Sequence, residues 1–306
     1  MVSNADITAA WARVLPYVRR TPTLTVDGFD LGFPIELKLE HTQHTGSFKP
    51  RGAFNTLLNS PVPAAGLVAA SGGNHGAAAA YAAHTLGHKA RIYVPEMAGS
   101  AKISLIRNLG ADLILVKGAY SNALEDAQSY EVATGAMQIH AYDAPATVAG
   151  QGTCFAEWED QGLEADTILI AVGGGGLISG ALEWFGERRK VVAVEPETCA
   201  TLYAARKAAN RIDVDVSGVA ANALGARQIG KICFEVAQAN DTQTVLVSDD
   251  SIIDAQMCLW REMRQLVEPA GAAALAALTS GAYIPERGER VAVLVCGANI
   301  APDPFG

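Results

Sequence analysis

Short apolar runs recur along the chain between longer stretches of mixed pattern. Residues 35–39, 67–70, 90–94, 113–116, 167–172, 191–195, 244–247 and 290–295 are such runs and predict strands. Most are apolar at every position rather than at alternate ones, as strands covered on both faces should be. Between them, residues 74–86, 100–109, 122–133, 152–160, 177–185, 252–266 and 269–278 read as helices. Strand and helix alternate almost end to end, which predicts an α/β fold of mainly parallel sheets joined by right-handed crossovers. Ligands are expected beyond the carboxyl ends of the strands. Two blocks, 67–116 and 167–295, look separable, with the return crossing near residues 142–150. A cleft between two such lobes is a common small-molecule site.

Composition narrows the class. The chain has 306 residues, 50% of them hydrophobic, which suits about two domains at roughly 150 residues each. Lys+Arg 23 against Asp+Glu 32 leaves a net charge of -9, so a nucleic-acid partner is not expected. No stretch approaches the roughly 18 uninterrupted apolar residues of a membrane span, and residues 1–14 lack a basic start followed by an apolar core. No membrane partner is expected, and the expected address is the cytoplasm. The five cysteines are scattered and contain no CxxC pair, so neither a disulfide framework nor a zinc site is suggested.

Four segments carry candidate chemistry. Gly173-Gly174-Gly175-Gly176 follows the strand 167–172 and opens a helix. Backbone N–H groups unobstructed by β-carbons can converge there on an anion, and the helix N-terminus adds about half a positive charge, so a phosphate belongs at this turn. The alternative is a turn that merely allows close packing. A Walker loop is excluded because Leu177-Ile178-Ser179 stands where Gly-Lys-Ser/Thr is needed. A dinucleotide site is suggested by Glu195 about twenty residues on, but the GxGxxG spacing fails.

The second segment is Thr45-Gly46-Ser47-Phe48-Lys49-Pro50-Arg51-Gly52-Ala53, where Pro50 places Lys49 at the lip of a helix. A lysine desolvated in a cleft loses basicity and becomes a nucleophile towards aldehydes, whereas most lysines are solvated surface charges. The third, Ser71-Gly72-Gly73-Asn74-His75-Gly76, is another anion-ready turn between strand and helix. Ser71 and Asn74 could hold a carboxylate there, and His75 could equally brace the loop. The fourth is Cys296-Gly297-Ala298-Asn299 after the last strand. A lone cysteine is ordinarily inert core, but at a strand's carboxyl end it can face a ligand.

Taken together and in this order, these segments resemble the fold-type II pyridoxal-phosphate enzymes, specifically the serine/threonine dehydratase group that includes serine racemase. The resemblance covers almost the whole chain and implies a two-lobed, tryptophan synthase β-like architecture. In it, residues 1–52 and 144–306 form the large cofactor-binding domain and 53–143 a smaller domain that closes on substrate. It implies that Lys49 holds pyridoxal 5'-phosphate as a Schiff base, that Phe48 packs on its ring and that Asn74 bonds its phenolic oxygen. Gly173, Gly174, Gly175 and Gly176 match the phosphate cup, and Cys296 faces the pyridine nitrogen. Ser71, Gly72 and His75 fall in the substrate-carboxylate loop. Glu268 resembles a residue beside the cofactor, or else partners a helix dipole.

The activity implied is elimination of water from an L-β-hydroxy amino acid, with Lys49 as general base and departure of the hydroxyl assisted by the cofactor phosphate. L-Threonine would give 2-oxobutanoate and L-serine pyruvate, each with ammonia. A neutral thiol at Cys296 does not keep the ring nitrogen protonated, which favours elimination over transamination. Racemisation needs a hydroxyl donor where Gly72 stands, so little is expected. The resemblance also implies a structural cation at Glu195, Cys199 and Thr201, where a hydroxyl at the third ligand suits potassium better than magnesium; the alternative is that Glu195 binds nothing. A homodimer is the family's common state.

The family's Pro-Phe after the histidine is replaced in His140-Ala141-Tyr142-Asp143, and Gln151-Gly152-Thr153 is expected near the site. The substrate could therefore be bulkier or more polar, such as 3-hydroxyaspartate or phenylserine. With the chain ending at Gly306, a C-terminal regulatory domain and feedback inhibition by isoleucine are not expected. Three rivals stand beside this reading. A β-replacement synthase shares fold and cofactor but differs in its signature loops. An NAD-dependent oxidoreductase leaves the setting of Lys49 unexplained. A non-catalytic metabolite sensor would not need the full set of catalytic positions.

Overall fold

A computed structural model describes residues 2–96, 98–118 and 120–300. Helix α1 (Asn4–Val14) precedes strands β1 (Thr23–Val26) and β2 (Ile35–Lys38), and helix α2 (Lys49–Asn59) leads into the first parallel unit. That unit runs β3 (Leu67–Ala70), α3 (Asn74–Thr85), β4 (Ala90–Pro95), α4 (Ser100–Asn108), β5 (Asp112–Val116), α5 (Tyr120–Thr134) and β6 (Met137–Gln138). The second unit begins with α6 (Pro145–Asp160), β7 (Thr167–Ala171), α7 (Gly176–Phe185), β8 (Lys190–Pro196) and α8 (Thr201–Ala208). It ends with α9 (Ala221–Leu224), α10 (Lys231–Ala239), β9 (Gln243–Val247), α11 (Asp249–Met263), α12 (Pro269–Thr279) and β10 (Val291–Leu294).

Two sheets result, one of six strands in the order β1-β2-β10-β7-β8-β9 and one of four in the order β5-β4-β3-β6. Every pair is parallel except β1 with β2. The all-apolar runs lie where expected: β3, β7 and β10 are buried at every position, covered on both faces by helices. All eight expected strands are present. Those not anticipated are β1, a half-exposed edge strand, and β6, of two residues, both too short or too polar to give an apolar run.

The helices depart further from expectation. Helix α6 starts at Pro145 rather than residue 152, because its first half is rich in small residues that serve packing. A β-carbon on Gly150 would lie 2.6 Å from the Arg51 carbonyl oxygen of α2, and one on Gly180 of α7 would lie 2.6 Å from the Gly152 nitrogen. Three helices thus touch backbone to backbone along α6. Helix α11 stops at Met263 because Arg264 turns left-handed at φ 57. Helices α1, α8, α9 and α10 are absent from the apolar pattern, although Ser3 and Asp6 form a capping box at the start of α1. Gln151-Gly152-Thr153, expected near the site, instead lies buried within α6; Gln151 packs on Gly52, and Thr153 faces the Arg51 guanidinium.

Helix α2 crosses the domain boundary expected between residues 52 and 53. Its Phe54 and Leu57 pack with the alanines of α3 against the four-stranded sheet, while Arg51 is anchored on the other side. There Lys38, Glu40, Arg51 and Glu157 form an ionic cluster in which no member is more than 1% exposed. Lys38 Nζ donates to Glu157 Oε1 at 2.6 Å, and Arg51 Nη2 donates to Glu157 Oε2 at 3.0 Å and to Glu40 Oε2 at 3.1 Å. The backbone N–H of Thr21 and the side chain of Gln161 complete the acceptor and donor balance. Burial pushes the Glu40 carboxyl up, but the Arg51 guanidinium beside it, together with Lys38 and the Thr21 hydroxyl, more than offsets this and holds it below the ordinary carboxylate range.

Two positive and two negative charges balance, so removing one member leaves a buried charge unpaired. Such breaks cost about 3–5 kcal/mol. Arg51→Met is therefore expected to lower the unfolding free energy by about that much in urea denaturation, and a loss below about 1 kcal/mol would contradict the cluster's role.

Candidate active site

The carboxyl ends of β7 and β10 and the N-termini of α2, α3 and α7 converge on one cleft. Phe48, Lys49, Asn74, Tyr142, the four glycines and Cys296 all border it. Residues from all four motif segments, spread over some 250 positions of sequence, thus reach one cavity.

Lys49 is the first residue of α2, with Pro50 next. Its Nζ donates to the Ala141 carbonyl oxygen at 2.8 Å and lies 5.0 Å from the centroid of the Phe48 ring. Burial brings the amine down to about 8, against weaker opposing effects of Cys296 and Glu268. The imidazoles and the thiol around it are held uncharged. His75, pushed down to about 3 by burial and then by Lys49, bonds the Ile139 carbonyl oxygen through Nε2 at 2.9 Å. His140 Nδ1 accepts the backbone N–H groups of Tyr142 and Asp143, at 3.2 and 2.8 Å, which places its proton on Nε2. Burial also lowers this imidazole. The Cys296 thiol is driven far above its ordinary range, mainly by burial, and donates to the Ala270 carbonyl oxygen at 3.2 Å.

The four glycines end β7 and open α7. Each is walled by a different neighbour or face: Gly173 by the backbone of Leu224, Gly174 by the Tyr142 ring, Gly175 by Cys233 and Gly176 by the backbone of Tyr142. Gly175 has φ +91, which L side chains rarely adopt. Among the described residues the amides of Gly173, Gly174 and Gly175 donate to no protein acceptor. The turn is thus both closely packed and rich in open donors; the two readings of the glycines are not exclusive. Tyr142 is itself held in place because Asp143 accepts the backbone N–H groups of Lys231 and Ile232, each at 2.9 Å, at the start of α10.

At the third segment Ser71 Oγ accepts the Gly73 N–H at 3.2 Å. A β-carbon on Gly72 would lie 2.6 Å from that of Ala98 and 3.1 Å from Val94 Cγ1, so the position is tight. Asn74 Nδ2 donates to Glu268 Oε1 at 2.5 Å. The expected cation ligands lie behind the glycine turn rather than in the cleft. Glu195 accepts the backbone N–H groups of Leu202 and Tyr203 at 2.7 and 2.8 Å, capping α8, and Thr201 donates its hydroxyl to the Gly173 carbonyl oxygen at 2.7 Å. Cys199 is buried alongside. No group of three or more His, Cys, Asp or Glu side chains that could hold a metal ion occurs among the described residues.

Sequence reasoning missed Leu224, Cys233 and the carbonyl of Ala141. None of these offers a motif, since what they contribute is backbone or bulk. Tyr142 and His140 were visible only as a departure from a pattern.

A family model described as pyridoxal-phosphate dependent enzyme matches residues 14–297. A phenylserine dehydratase of Ralstonia pickettii is 32% identical, over 94% of this chain and 90% of its own length. A beta-hydroxyaspartate dehydratase of Paracoccus denitrificans (strain Pd 1222) is 32% identical, over 97% of this chain and 96% of its own. The crystal structure of a T.th. threonine deaminase superposes with a TM-score of 0.91 at 33% identity, covering 99% of this chain and 100% of that one.

The cleft suits such a cofactor chemically: a weakly basic amine for an aldehyde, open amides at a helix N-terminus for a phosphate and, for a ring, a lining in which Glu268 is the one acidic side chain. With the amine at about 8, colour formation on adding pyridoxal phosphate to apoprotein should quicken as pH rises and level off above about 8. A rate that keeps climbing past pH 10, as an ordinary lysine near 10.4 would give, contradicts the desolvated setting.

Proposed function

The chain belongs to the pyridoxal-phosphate dependent enzyme family, and from that premise we propose that it removes water from a β-hydroxy amino acid to yield a 2-oxo acid and ammonia. The observation that carries the reading is the desolvated Lys49 amine and the open amides of Gly173–Gly175 in a single cleft. Bound pyridoxal phosphate supplies an aldehyde for amines and an electron-withdrawing ring that acidifies the α-carbon of an attached amino acid.

The chain's residues supply the rest. Gly173, Gly174, Gly175 and Gly176 would hold the phosphate, Phe48 would pack on the ring and Asn74 would donate to its phenolic oxygen. Lys49 would anchor the cofactor, and its free amine would take the α-proton of the substrate on Nζ. Ser71 and the amides of its turn receive the substrate carboxylate, with His75 bracing them through Ile139. Because the Cys296 thiol is neutral and its hydrogen is engaged by Ala270, it would not protonate a ring nitrogen. Such a ring would be a weaker electron store, which would favour elimination of the β-hydroxyl. Residues 53–143 act as the unit that closes over the substrate and excludes water.

The three relatives named above are titled for three β-hydroxy amino acids, which supports the class of substrate and leaves open the side chain beyond the β-carbon. Gly72 offers no proton donor and has no room for one, which supports dehydration without racemisation. A homodimer is supported by the exposed apolar stripe of Ile253, Met257 and Trp260, 37–48% exposed at helical spacing along α11. A monovalent cation is supported by a buried Glu195 carboxylate that has no basic side chain within ion-pair reach among the described residues. No helix among the described residues is long and apolar enough to cross a membrane.

The test is a panel of L-threonine, L-serine, 3-hydroxyaspartate and phenylserine with the cofactor-loaded protein. One or more should release 2-oxo acid and ammonia in equal amounts, with no D-enantiomer accumulating in the residual substrate. Absence of keto acid from the whole panel contradicts the proposal, and turnover only when a thiol is added points to β-replacement instead.

A further inference from the structure

Asn74 can present either an N–H or a carbonyl to the cleft, because the two ends of a side-chain amide are nearly isosteric and opposite in polarity. Its orientation here is set by a chain of bonds with acceptors at both ends. Asn299 Nδ2 donates to the Thr45 carbonyl oxygen at 2.7 Å and to Asn74 Oδ1 at 2.8 Å. Asn74 Nδ2 donates to the Glu268 carboxylate. A backbone carbonyl has no hydrogen to give, so the Asn299 amide must turn its NH₂ to Thr45 and thereby to Asn74. Asn74 then has its oxygen occupied, one hydrogen on Glu268 and its second hydrogen left for the cleft it borders.

The backbone around Asn299 is shaped to hold this amide. Thr45 has φ 59 and Gly46 φ 73, two successive left-handed residues, and a β-carbon on Gly46 would lie 2.7 Å from Asn299 Oδ1. The Ala298 N–H donates to the Gly46 carbonyl oxygen at 2.8 Å, and Ser47 bridges Gly297. One side chain therefore joins the turn that leads into Lys49 to the residue that opens α3.

We infer that Asn299 is a positioning residue that, with Glu268, locks the Asn74 amide so that it offers a hydrogen-bond donor to the cofactor's phenolic oxygen. The inference rests on the reading that Asn74 partners that oxygen, and it goes beyond it by saying what makes the partner a donor. A donor favours the ionised oxygen, whereas a reversed amide would present a repelling carbonyl.

Asn299→Asp replaces the NH₂ with an acceptor and should reverse Asn74; Asn299→Ala removes the lock without inverting it and serves if the first variant does not fold. The readout is the pH midpoint of the bound cofactor's absorbance change. Asn299→Asp is expected to raise it by about one to two units, the size a hydrogen bond to a charged group carries, and Asn299→Ala by less. In an Asn74→Ala background neither substitution should shift it further, since the group they act through is gone.

No shift from either Asn299 variant overturns the lock, as does a shift that persists undiminished without Asn74. Asn74→Ala measured alone separates the two claims: if it moves the midpoint and the Asn299 variants do not, only the lock fails. If it does not move the midpoint, the pairing of Asn74 with the phenolic oxygen fails, and the lock with it.

Discussion

The ionic cluster of Lys38, Glu40, Arg51 and Glu157 fixes the one thing the cleft cannot do without, the place where α2 begins. Four charges out of water are costly to bury and stay buried only while each is paired. Glu40 lies just past the end of β2, Glu157 sits on α6, and Arg51 must reach both. The start of α2 is thereby pinned between the central sheet and α6, with Lys49 two residues before Arg51 on the cleft side. A hydrophobic contact of the same area would tolerate sliding. A bidentate guanidinium on two carboxylates has direction, and that direction is passed to the neighbouring lysine.

A second constraint acts on charge within the cleft. Lys49 can lose its proton near neutrality only if burial outweighs nearby negative charge, and its neighbours are arranged to that end. His75 is held neutral by burial and by Lys49, His140 mainly by burial with backbone amides bonded to its Nδ1, and the Cys296 thiol stays protonated. Glu268 is the exception, and its carboxylate is occupied by Asn74. The open amides of the glycine turn then form the one donor-rich wall of a cleft otherwise poor in charge, which suits a ligand with an anionic end and a flat uncharged body.

Much of this was legible in the chain itself. Strands buried on both faces leave uninterrupted apolar runs, so all eight expected strands and the α/β class could be read. The tetraglycine and the lysine before Pro50 could be read because backbone donors and a desolvated amine require those residue types. Helices α8 and α10 lack a strong apolar run, and α6 begins on small residues whose purpose is contact with α2 and α7; neither feature has a periodic signature. The partners that finish the site were hidden for a related reason. Leu224, Cys233 and Ala141 act through bulk or backbone, and Asn299 acts through a bond network that exists only after the chain has closed. Glu195 shows the same gap from the other side: an acid at a strand end looks like a ligand, and nothing in the sequence says that it also caps the next helix.

The account stands on Lys49 as the residue that carries the cofactor. Holoprotein treated with borohydride, digested and examined by mass spectrometry tests it most directly. The added mass should fall on the peptide containing Lys49 and be lost from Lys49→Ala. A label on another lysine, or none on wild-type protein, would contradict it.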